Sequence, residues 1–207
     1  MSGAGNDPMN RRRLLATACA ALAVLATAGC GERGSAAAPF KAVDITGADY
    51  GRSLSLPDVD GRVRTLDDFK GKAVVVFFGF TQCPDVCPTT MTELAEVKRQ
   101  LGPQGDRLQA VFVTVDPERD TPERLKSYMA AFDPSFVALR GTPEQTEAVA
   151  KAFKVYYKKV DGKDPGAYTI DHTAGAYVFD PQGRLRLFAR YGQPVADWVT
   201  DLRQLLA

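Results

Sequence analysis

The stretch Ala73-Val-Val-Val-Phe-Phe-Gly-Phe-Thr-Gln-Cys-Pro-Asp-Val-Cys-Pro-Thr-Thr-Met-Thr-Glu-Leu-Ala-Glu-Val-Lys-Arg-Gln-Leu101 decides the fold of this 207-residue chain. Its first eight residues, 73–80, form a run dominated by β-branched and aromatic side chains, which predicts a central strand buried on both faces. From Cys87 onward, apolar residues recur at helical spacing and stop before Gly102-Pro103, so the pattern predicts a helix over 87–101. A buried strand that leads directly into a helix is the repeating half of a parallel α/β sheet.

The same patterns continue outward from this segment. Capping residues open two further helices, one at Thr121-Pro122 and one at Thr142-Pro-Glu-Gln145 that is expected to run to about Tyr156. Buried strands are expected over 108–115 and 136–139, and two short strands over 54–56 and 63–66. A polar excursion or hairpin is expected over 156–170. The chain then ends with a hairpin over 175–180 and 185–190 and a closing helix over 194–206. This order predicts an α/β, thioredoxin-like fold: a mixed central sheet flanked by helices, with an N-terminal β-hairpin and an insertion before the last hairpin.

The N-terminus has the pattern of an export signal. Three arginines at 11–13 precede an apolar run over 14–28, and small residues follow before Cys30. A basic start, a short apolar segment and small residues at the cleavage point are typical of a secretory signal peptide. The run is shorter than the roughly 20 residues of a membrane-spanning helix, which disfavours a retained anchor. We therefore predict a signal peptide over 1–29, exported by either the general secretory or the twin-arginine route.

The end of this signal, Leu25-Ala-Thr-Ala-Gly-Cys30, resembles the lipobox of bacterial lipoproteins, although Thr27 stands where leucine is commonest. By that resemblance Cys30 becomes the lipid-bearing first residue, and an anchor of more than one acyl chain gives stable membrane attachment. Gly, Ala and Ser dominate the next residues, which predicts a tether over 30–45. One domain over 46–207 then lies on the periplasmic face of a bacterial cell envelope.

The charge balance excludes a nucleic-acid-binding protein. Removing residues 1–29 takes away three arginines and Asp7, which leaves 23 basic against 24 acidic side chains. A nearly neutral domain has no basic footprint for a polyanion. The 178 remaining residues are enough for one domain with a hydrophobic core of its own.

Only two cysteines remain in the predicted domain. Cys19 leaves with the signal and Cys30 is assigned to lipid, so thiol chemistry is confined to Cys83 and Cys87, between the first buried strand and its helix. A helix N-terminus favours the thiolate, because its unpaired N–H groups and its dipole stabilise an anion. Cysteines four residues apart in a first helical turn share one face, so both sulfurs can reach one ion or close a disulfide.

A purely structural disulfide explains this pair poorly, because so short a loop constrains the unfolded chain little. A metal site needs a further ligand, and the single histidine of the chain, His172, lies just before the strand expected at 175. In a thioredoxin-like domain the loop before that strand lies against the cysteine loop. Two thiolates and one imidazole suit Cu(I), whereas zinc would take a fourth ligand such as Asp171 or Asp85.

Three separated motifs resemble the Sco/SenC family. They are Phe77-Phe-Gly-Phe-Thr-Gln-Cys-Pro-Asp-Val-Cys-Pro88, Val115-Asp-Pro-Glu-Arg-Asp-Thr121, and Asp171-His-Thr173 followed by Tyr177-Val-Phe-Asp-Pro-Gln-Gly183. The resemblance covers the chain from about Tyr50 to its end. It implies a copper-binding assembly factor for cytochrome c oxidase, with one copper, as Cu(I) or Cu(II), held by Cys83, Cys87 and His172. Gln82 departs from the histidine of many members, at a position that is not a usual ligand.

The resemblance also implies the partners of the protein. They are subunit II of cytochrome c oxidase, whose binuclear centre receives the copper, and a separate copper donor. Family members deliver copper, keep the thiols of that subunit reduced, or both. The alternative function is therefore a membrane-anchored thiol-disulfide oxidoreductase with Cys83 and Cys87 as a redox-active disulfide. The C-x-x-x-C spacing, and an Asp-His-Thr stretch at the usual place of a cis-proline, favour metal binding over pure redox exchange.

Acidic residues accompany each motif. Asp85, between the cysteines, is expected to tune the charge of the site or to contact the partner. Asp116, with Arg119 and Asp120, is interpreted as part of a capped, charge-paired turn after the second buried strand, with partner contact as the alternative. Asp171, beside the histidine, is a further candidate neighbour of the metal or contact for the partner.

Overall fold

The computed structural model of the chain describes residues 39–164 and 166–207. The predicted signal peptide and Cys30 lie outside the described residues. The strands are β1 (Val43–Asp44), β2 (Ser55–Pro57), β3 (Val63–Thr65), β4 (Ala73–Gly79), β5 (Leu108–Thr114), β6 (Val137–Leu139), β7 (Tyr157–Asp161), β8 (Tyr168–His172), β9 (Gly175–Phe179) and β10 (Leu185–Arg190). The α-helices are α1 (Val86–Gln100), α2 (Pro122–Ala130), α3 (Pro143–Ala152) and α4 (Val195–Leu206).

Six of the strands form one mixed sheet in the order β1-β10-β9-β4-β5-β6. The central strands β4 and β5 run parallel, from Ala73 opposite Leu108 to Gly79 opposite Thr114. Strand β9 pairs antiparallel with the other edge of β4. The hairpins β2–β3 and β7–β8 form separate two-stranded sheets. This arrangement confirms the predicted thioredoxin-like fold, with an N-terminal hairpin and an inserted one.

Every residue of β4 and β5 is buried, because helices cover both faces of the sheet. Successive side chains point to opposite faces, so Val75 and Phe77 enter one hydrophobic cluster and Val76 and Phe78 the other. Helices α1, α2 and α4 contribute to the first cluster, and α3 contributes to the second. The prediction of a strand buried on both faces, made from the apolar run at 73–80, is therefore confirmed.

Helix α1 sets the position of the cysteines. Its residues Met91, Leu94 and Val97 are fully buried against the sheet, which anchors the helix along its length. Burying side chains of this size stabilises a fold by about 1.5–3 kcal/mol each. The first turn of the helix is thereby held at the C-terminal end of β4, where ligand sites of open α/β sheets are found.

Two boundaries differ from the sequence-based expectation. The third helix ends at Ala152 rather than near residue 156, because Lys154 adopts a left-handed backbone with φ of 55°. The folded part begins near Phe40 instead of at residue 46, since β1 pairs with β10 inside the segment assigned to the tether. The buried amide of Ala42 donates a hydrogen bond to the Asp201 carboxylate at 2.8 Å, which holds the segment before β1 against the last helix. The polar segment at 156–170 contributes both strands of the β7–β8 hairpin.

None of the helices within the described residues has the length and apolarity needed to cross a bilayer.

Candidate metal centre

Cys83, Cys87 and His172 come together beside the C-terminal end of β4. Cys83 lies in the turn after the strand, Cys87 in the first turn of α1, and His172 at the end of β8. The Sγ atom of Cys87 is 3.5 Å from Nε2 of His172, and the three potential ligand atoms all lie within 4.8 Å of one another. Within the described part of the chain, this is the group of three or more Cys, His, Asp or Glu residues that could hold a metal ion.

The imidazole of His172 is held in an orientation that suits metal binding. Its Nδ1 lies 3.1 Å from the backbone oxygen of Thr173, and a carbonyl oxygen only accepts hydrogen bonds. The proton therefore resides on Nδ1, which leaves the lone pair of Nε2 facing Cys87. The rings of Phe77 and Phe80 pack edge-on against the imidazole, each with a centroid separation of 5.9 Å.

The two sulfurs differ in their access to solvent. Cys87 is fully buried, whereas Cys83 is half-buried and faces the surface; both are free thiols. Gly79 lies directly beneath the buried sulfur, where an added Cβ would approach Sγ of Cys87 to 2.6 Å. A glycine at this position lets the sulfur pack against the end of β4, so a ligand or partner would approach the pair from the Cys83 side.

The electrostatics of the pair make Cys83 the thiolate. The hydrogen bond from Cys87, with further ones from backbone N–H groups of the helix start, outweighs burial and lowers the pKa of Cys83 to about 4. The same hydrogen bond and burial raise the pKa of Cys87 above its usual range. A nucleophilic, surface-facing thiolate therefore sits beside a protonated, buried thiol.

This asymmetry predicts the pH dependence of alkylation in the reduced, metal-free protein. Cys83 should react with iodoacetamide at a nearly constant rate from about pH 5 to 8, because it is already ionised across that range. An ordinary thiol would instead accelerate about tenfold for each pH unit. Peptide mass spectrometry after timed quenching would follow each cysteine separately. A Cys83 rate that rises tenfold per unit, or faster alkylation of Cys87, would contradict the assignment.

The carboxylates nearest in sequence do not join the ligand cluster. Asp85 is exposed, and its Oδ1 accepts hydrogen bonds from the hydroxyls of Thr89 and Tyr191, both at 3.3 Å. Asp171 is exposed, and it alternates with His172 along β8, so it faces away from the imidazole. Gln82 is exposed as well. The cluster therefore offers three ligand groups, without the fourth that zinc usually takes.

The second motif is buried beside the site instead of lying on the surface. Asp116 is 1 % exposed and forms an ion pair with Arg119. Asp120 is fully buried and accepts hydrogen bonds from Thr81 and Thr114. Burial raises the pKa of Asp120, while these hydrogen bonds act in the opposite direction. Asp116 and Asp120 are thus shielded from direct contact with a partner, and the motif is a charge-paired turn capped by Thr121.

Several residues of the site were not predicted from the sequence as parts of it. Gly79 shapes the space for Cys87, Phe77 and Phe80 orient the imidazole, and Thr81 and Tyr168 connect the site to the second motif. Phe77 to Thr81 lie inside the first motif, so the sequence already places them close to the cysteines. The role of Tyr168 was not, because its hydroxyl meets a carboxylate 52 residues away.

Comparison with known proteins gives consistent matches. The family model described as SCO1/SenC matches residues 43–207. The SCO2-like protein of Rickettsia felis is 38% identical over 135 residues, which cover 65% of this chain and 66% of that protein. The structure of Bradyrhizobium japonicum ScoI with copper bound is 42% identical with a TM-score of 0.67, covering 74% of this chain and 97% of that one. A SCO1/SenC family lipoprotein from Bacillus anthracis str. Ames is 25% identical with a TM-score of 0.63, covering 74% and 92%.

Proposed function

Because the chain belongs to the SCO1/SenC family, we propose that it is a copper carrier that supplies the binuclear copper centre of cytochrome c oxidase subunit II. The observation that carries the proposal is the cluster of Cys83, Cys87 and His172, whose ligand atoms lie within 4.8 Å of one another. A relative that is 42% identical holds copper in its solved structure. We assign these three residues as the ligands of one copper ion.

The chemistry of the cluster supports copper over zinc. Two thiolates and one imidazole are soft or intermediate ligands, and Cu(I) is stable with three of them. Structural zinc sites are almost always four-coordinate, and neither Asp85 nor Asp171 lies in the cluster. The imidazole additionally supports Cu(II), which prefers nitrogen ligands more than Cu(I) does.

The unequal burial of the ligands suggests how copper leaves. Cys83 is half-buried at the surface and Cys87 is fully buried. An incoming thiolate of the acceptor therefore reaches the copper from the Cys83 side and replaces that ligand first, while Cys87 and His172 still hold the ion. Exchange of one ligand at a time avoids release of free copper, and no electron is transferred in this step.

The transfer experiment follows from this mechanism. Residues 40–207, loaded with copper, are mixed with the copper-free soluble domain of the oxidase subunit, and formation of the binuclear centre is followed by its absorption. We expect transfer from the reduced carrier and none from a carrier whose Cys83 and Cys87 are oxidised to a disulfide. If free copper salt forms the centre to the same extent whether or not the carrier is present, the proposal is wrong.

A second candidate function is thiol-disulfide exchange with the same partner, and the ionised, half-buried Cys83 beside the protonated, buried Cys87 favours it. The Cys83 thiolate would attack a partner disulfide and release one partner thiolate. Cys87 would then attack the mixed disulfide and release the second, leaving the partner reduced and the Cys83–Cys87 pair oxidised. Two electrons pass to the partner, so a thiol reductant of the cell envelope must restore the pair.

The location that we propose is the periplasmic face of a bacterial cell envelope, with Cys30 as a lipid anchor. The B. anthracis relative is described as a lipoprotein. Cys30→Ser is expected to abolish lipid attachment, because the thiol is the acceptor of the lipid. Incorporation of labelled fatty acid, followed by fractionation, is the measurement. An unprocessed N-terminus in the unaltered protein would instead support a retained helical anchor.

A further inference from the structure

The three proposed ligands belong to two elements that share no backbone ladder. Cys83 and Cys87 lie at the turn between β4 and α1, whereas His172 ends the β7–β8 hairpin, which forms its own two-stranded sheet. The chain joins His172 to the main sheet through β9, which begins three residues later, and side chains add connections that hold the turn and the hairpin near each other. Two adjacent residues of the second motif make these connections.

Asp120 holds the cysteine turn. Its buried carboxylate accepts hydrogen bonds from the backbone N–H of Thr81 at 3.1 Å, from the Thr81 hydroxyl at 2.5 Å and from the Thr114 hydroxyl at 2.6 Å. Thr81 is two residues before Cys83, and Thr114 ends β5. Three donors converge on one acceptor group, and a charge is tolerated in such burial only when it is hydrogen-bonded. An asparagine amide would turn an NH₂ group toward one of these donors.

Arg119 holds the histidine hairpin. Its Nη1 donates a hydrogen bond to the backbone oxygen of Tyr168 at 2.8 Å, and its guanidinium carbon lies 3.6 Å from the centroid of the Tyr168 ring. The hydroxyl of Tyr168 donates to Asp116 at 2.8 Å, and Asp116 is also the ion-pair partner of Arg119. Tyr168 begins β8 and His172 ends it, so this anchor and the imidazole share one short strand.

We propose that Asp120 and Arg119 are positioning residues that set the distance between the cysteine pair and His172 before copper arrives. The inference rests on the proposed copper function. Asp120 fixes the sulfurs through Thr81, and Arg119 fixes the imidazole through Tyr168. Because the two residues are adjacent in the turn between β5 and α2, one short segment carries both connections. The site is thus preorganised, and copper binding does not require the hairpin and the cysteine turn to move together.

The variants are chosen to separate positioning from general stability. Asp120→Asn removes the charge at constant size, and Arg119→Met keeps the aliphatic volume without the hydrogen bonds. The matched control is Asp180→Asn. Asp180 is 2 % exposed and accepts hydrogen bonds from backbone N–H groups, including that of Arg184 at 3.0 Å. Asp180 follows Phe179, which pairs with Val74 near the start of β4, so it lies at the opposite end of the central strands from the site.

The copper readout uses the full chain purified in detergent. Asp120→Asn should shift the thiolate-to-Cu(II) absorption band and weaken copper affinity by about 10–100-fold, the range for losing a partner that orients a ligand. Arg119→Met should reproduce the spectrum of His172→Ala. When Arg119→Met is combined with His172→Ala, copper affinity should fall no further than in His172→Ala alone, because we infer that Arg119 acts only through that imidazole. Asp180→Asn should leave both band and affinity unchanged. Additive losses, or an Asp120→Asn spectrum identical to that of Asp180→Asn, would overturn the proposal.

A metal-free readout separates failure of this inference from failure of the copper function. His172 is the single histidine of the chain, so its ring protons give unambiguous nuclear magnetic resonance signals. Nuclear Overhauser contacts from the imidazole to Phe77 and Phe80 should be present in the unaltered protein and in Asp180→Asn, and should be lost in Arg119→Met. If the unaltered protein binds no copper, the proposed function fails while this result still decides positioning. If these contacts persist in Arg119→Met, the positioning role of Arg119 is wrong even though copper binds.

Discussion

Replacing Cys83 and Cys87 together by alanine is expected to eliminate copper binding, from one ion per chain to none. The described residues contain one cluster with metal-ligand geometry, and the double variant removes both of its sulfurs. The remaining imidazole cannot hold Cu(I) against a competing thiol, because Cu(I) selects soft sulfur ligands. The loss should exceed by far the roughly 10–100-fold weakening that follows from altering a hydrogen-bond partner of a ligand.

Metal analysis of residues 40–207 after loading and desalting measures this effect. The matched control is Met91→Leu, which removes a fully buried sulfur one turn further along α1 and conserves side-chain volume. It should retain one copper per chain. Equal copper retention in the double cysteine variant would contradict the assignment of Cys83 and Cys87 as ligands. Retention of zinc instead of copper by the unaltered protein would replace the copper carrier with a zinc site.

His172→Ala is expected to separate copper delivery from thiol exchange. The variant loses one of the three proposed ligands, while the sulfurs and the helix start that lower the pKa of Cys83 remain. Copper affinity should fall at least about tenfold, and more for Cu(II), which relies on nitrogen ligation, than for Cu(I). Cycling of the Cys83–Cys87 pair between thiols and disulfide should continue, because that chemistry has no need of an imidazole.

The measurement pairs copper affinity with oxidase activity in the same strain. Cells that carry His172→Ala should lose oxidase activity when copper is limiting and regain part of it when copper is added. Asp171→Asn is the control for copper affinity, since this exposed carboxylate directly precedes His172 in β8 and lies outside the cluster. Full oxidase activity alongside lost copper binding would mean that the thiols alone perform the function, and the reductase would then be the better description.

Much of the fold could be predicted because its signals are local. The apolar run at 73–80 and the helical spacing after Cys87 reflect burial of neighbouring residues on known faces, so β4 and α1 fall where expected. The end of α3 could not be predicted, because a left-handed Lys154 leaves no compositional mark. Strand β1 was missed for a different reason: two residues carry no periodicity, and their pairing with β10 lies more than 140 positions away.

The candidate site divides in the same way. The spacing of Cys83 and Cys87 at a strand-to-helix turn identified both sulfurs from the sequence. The expected helical geometry was wrong for one of them, because Cys87 lies in the first turn of α1 whereas Cys83 lies in the turn before that helix begins. The prediction that His172 lies near the cysteines depended on the assumed fold, because 85 residues separate it from Cys87. Asp85 and Asp171 were named by adjacency in the chain, yet both are exposed outside the ligand cluster.

Local patterns in the sequence were enough to predict which strands are buried, where the thiols lie and that one imidazole is available. The orientation of these groups depends on the tertiary structure. Asp120 meets Thr81 across 39 positions and Tyr168 meets Asp116 across 52. Local patterns arise from the contacts that a residue makes with neighbours a few positions away. The direction of an imidazole, or the convergence of three donors on one carboxylate, depends instead on where distant segments pack once the sheet has formed.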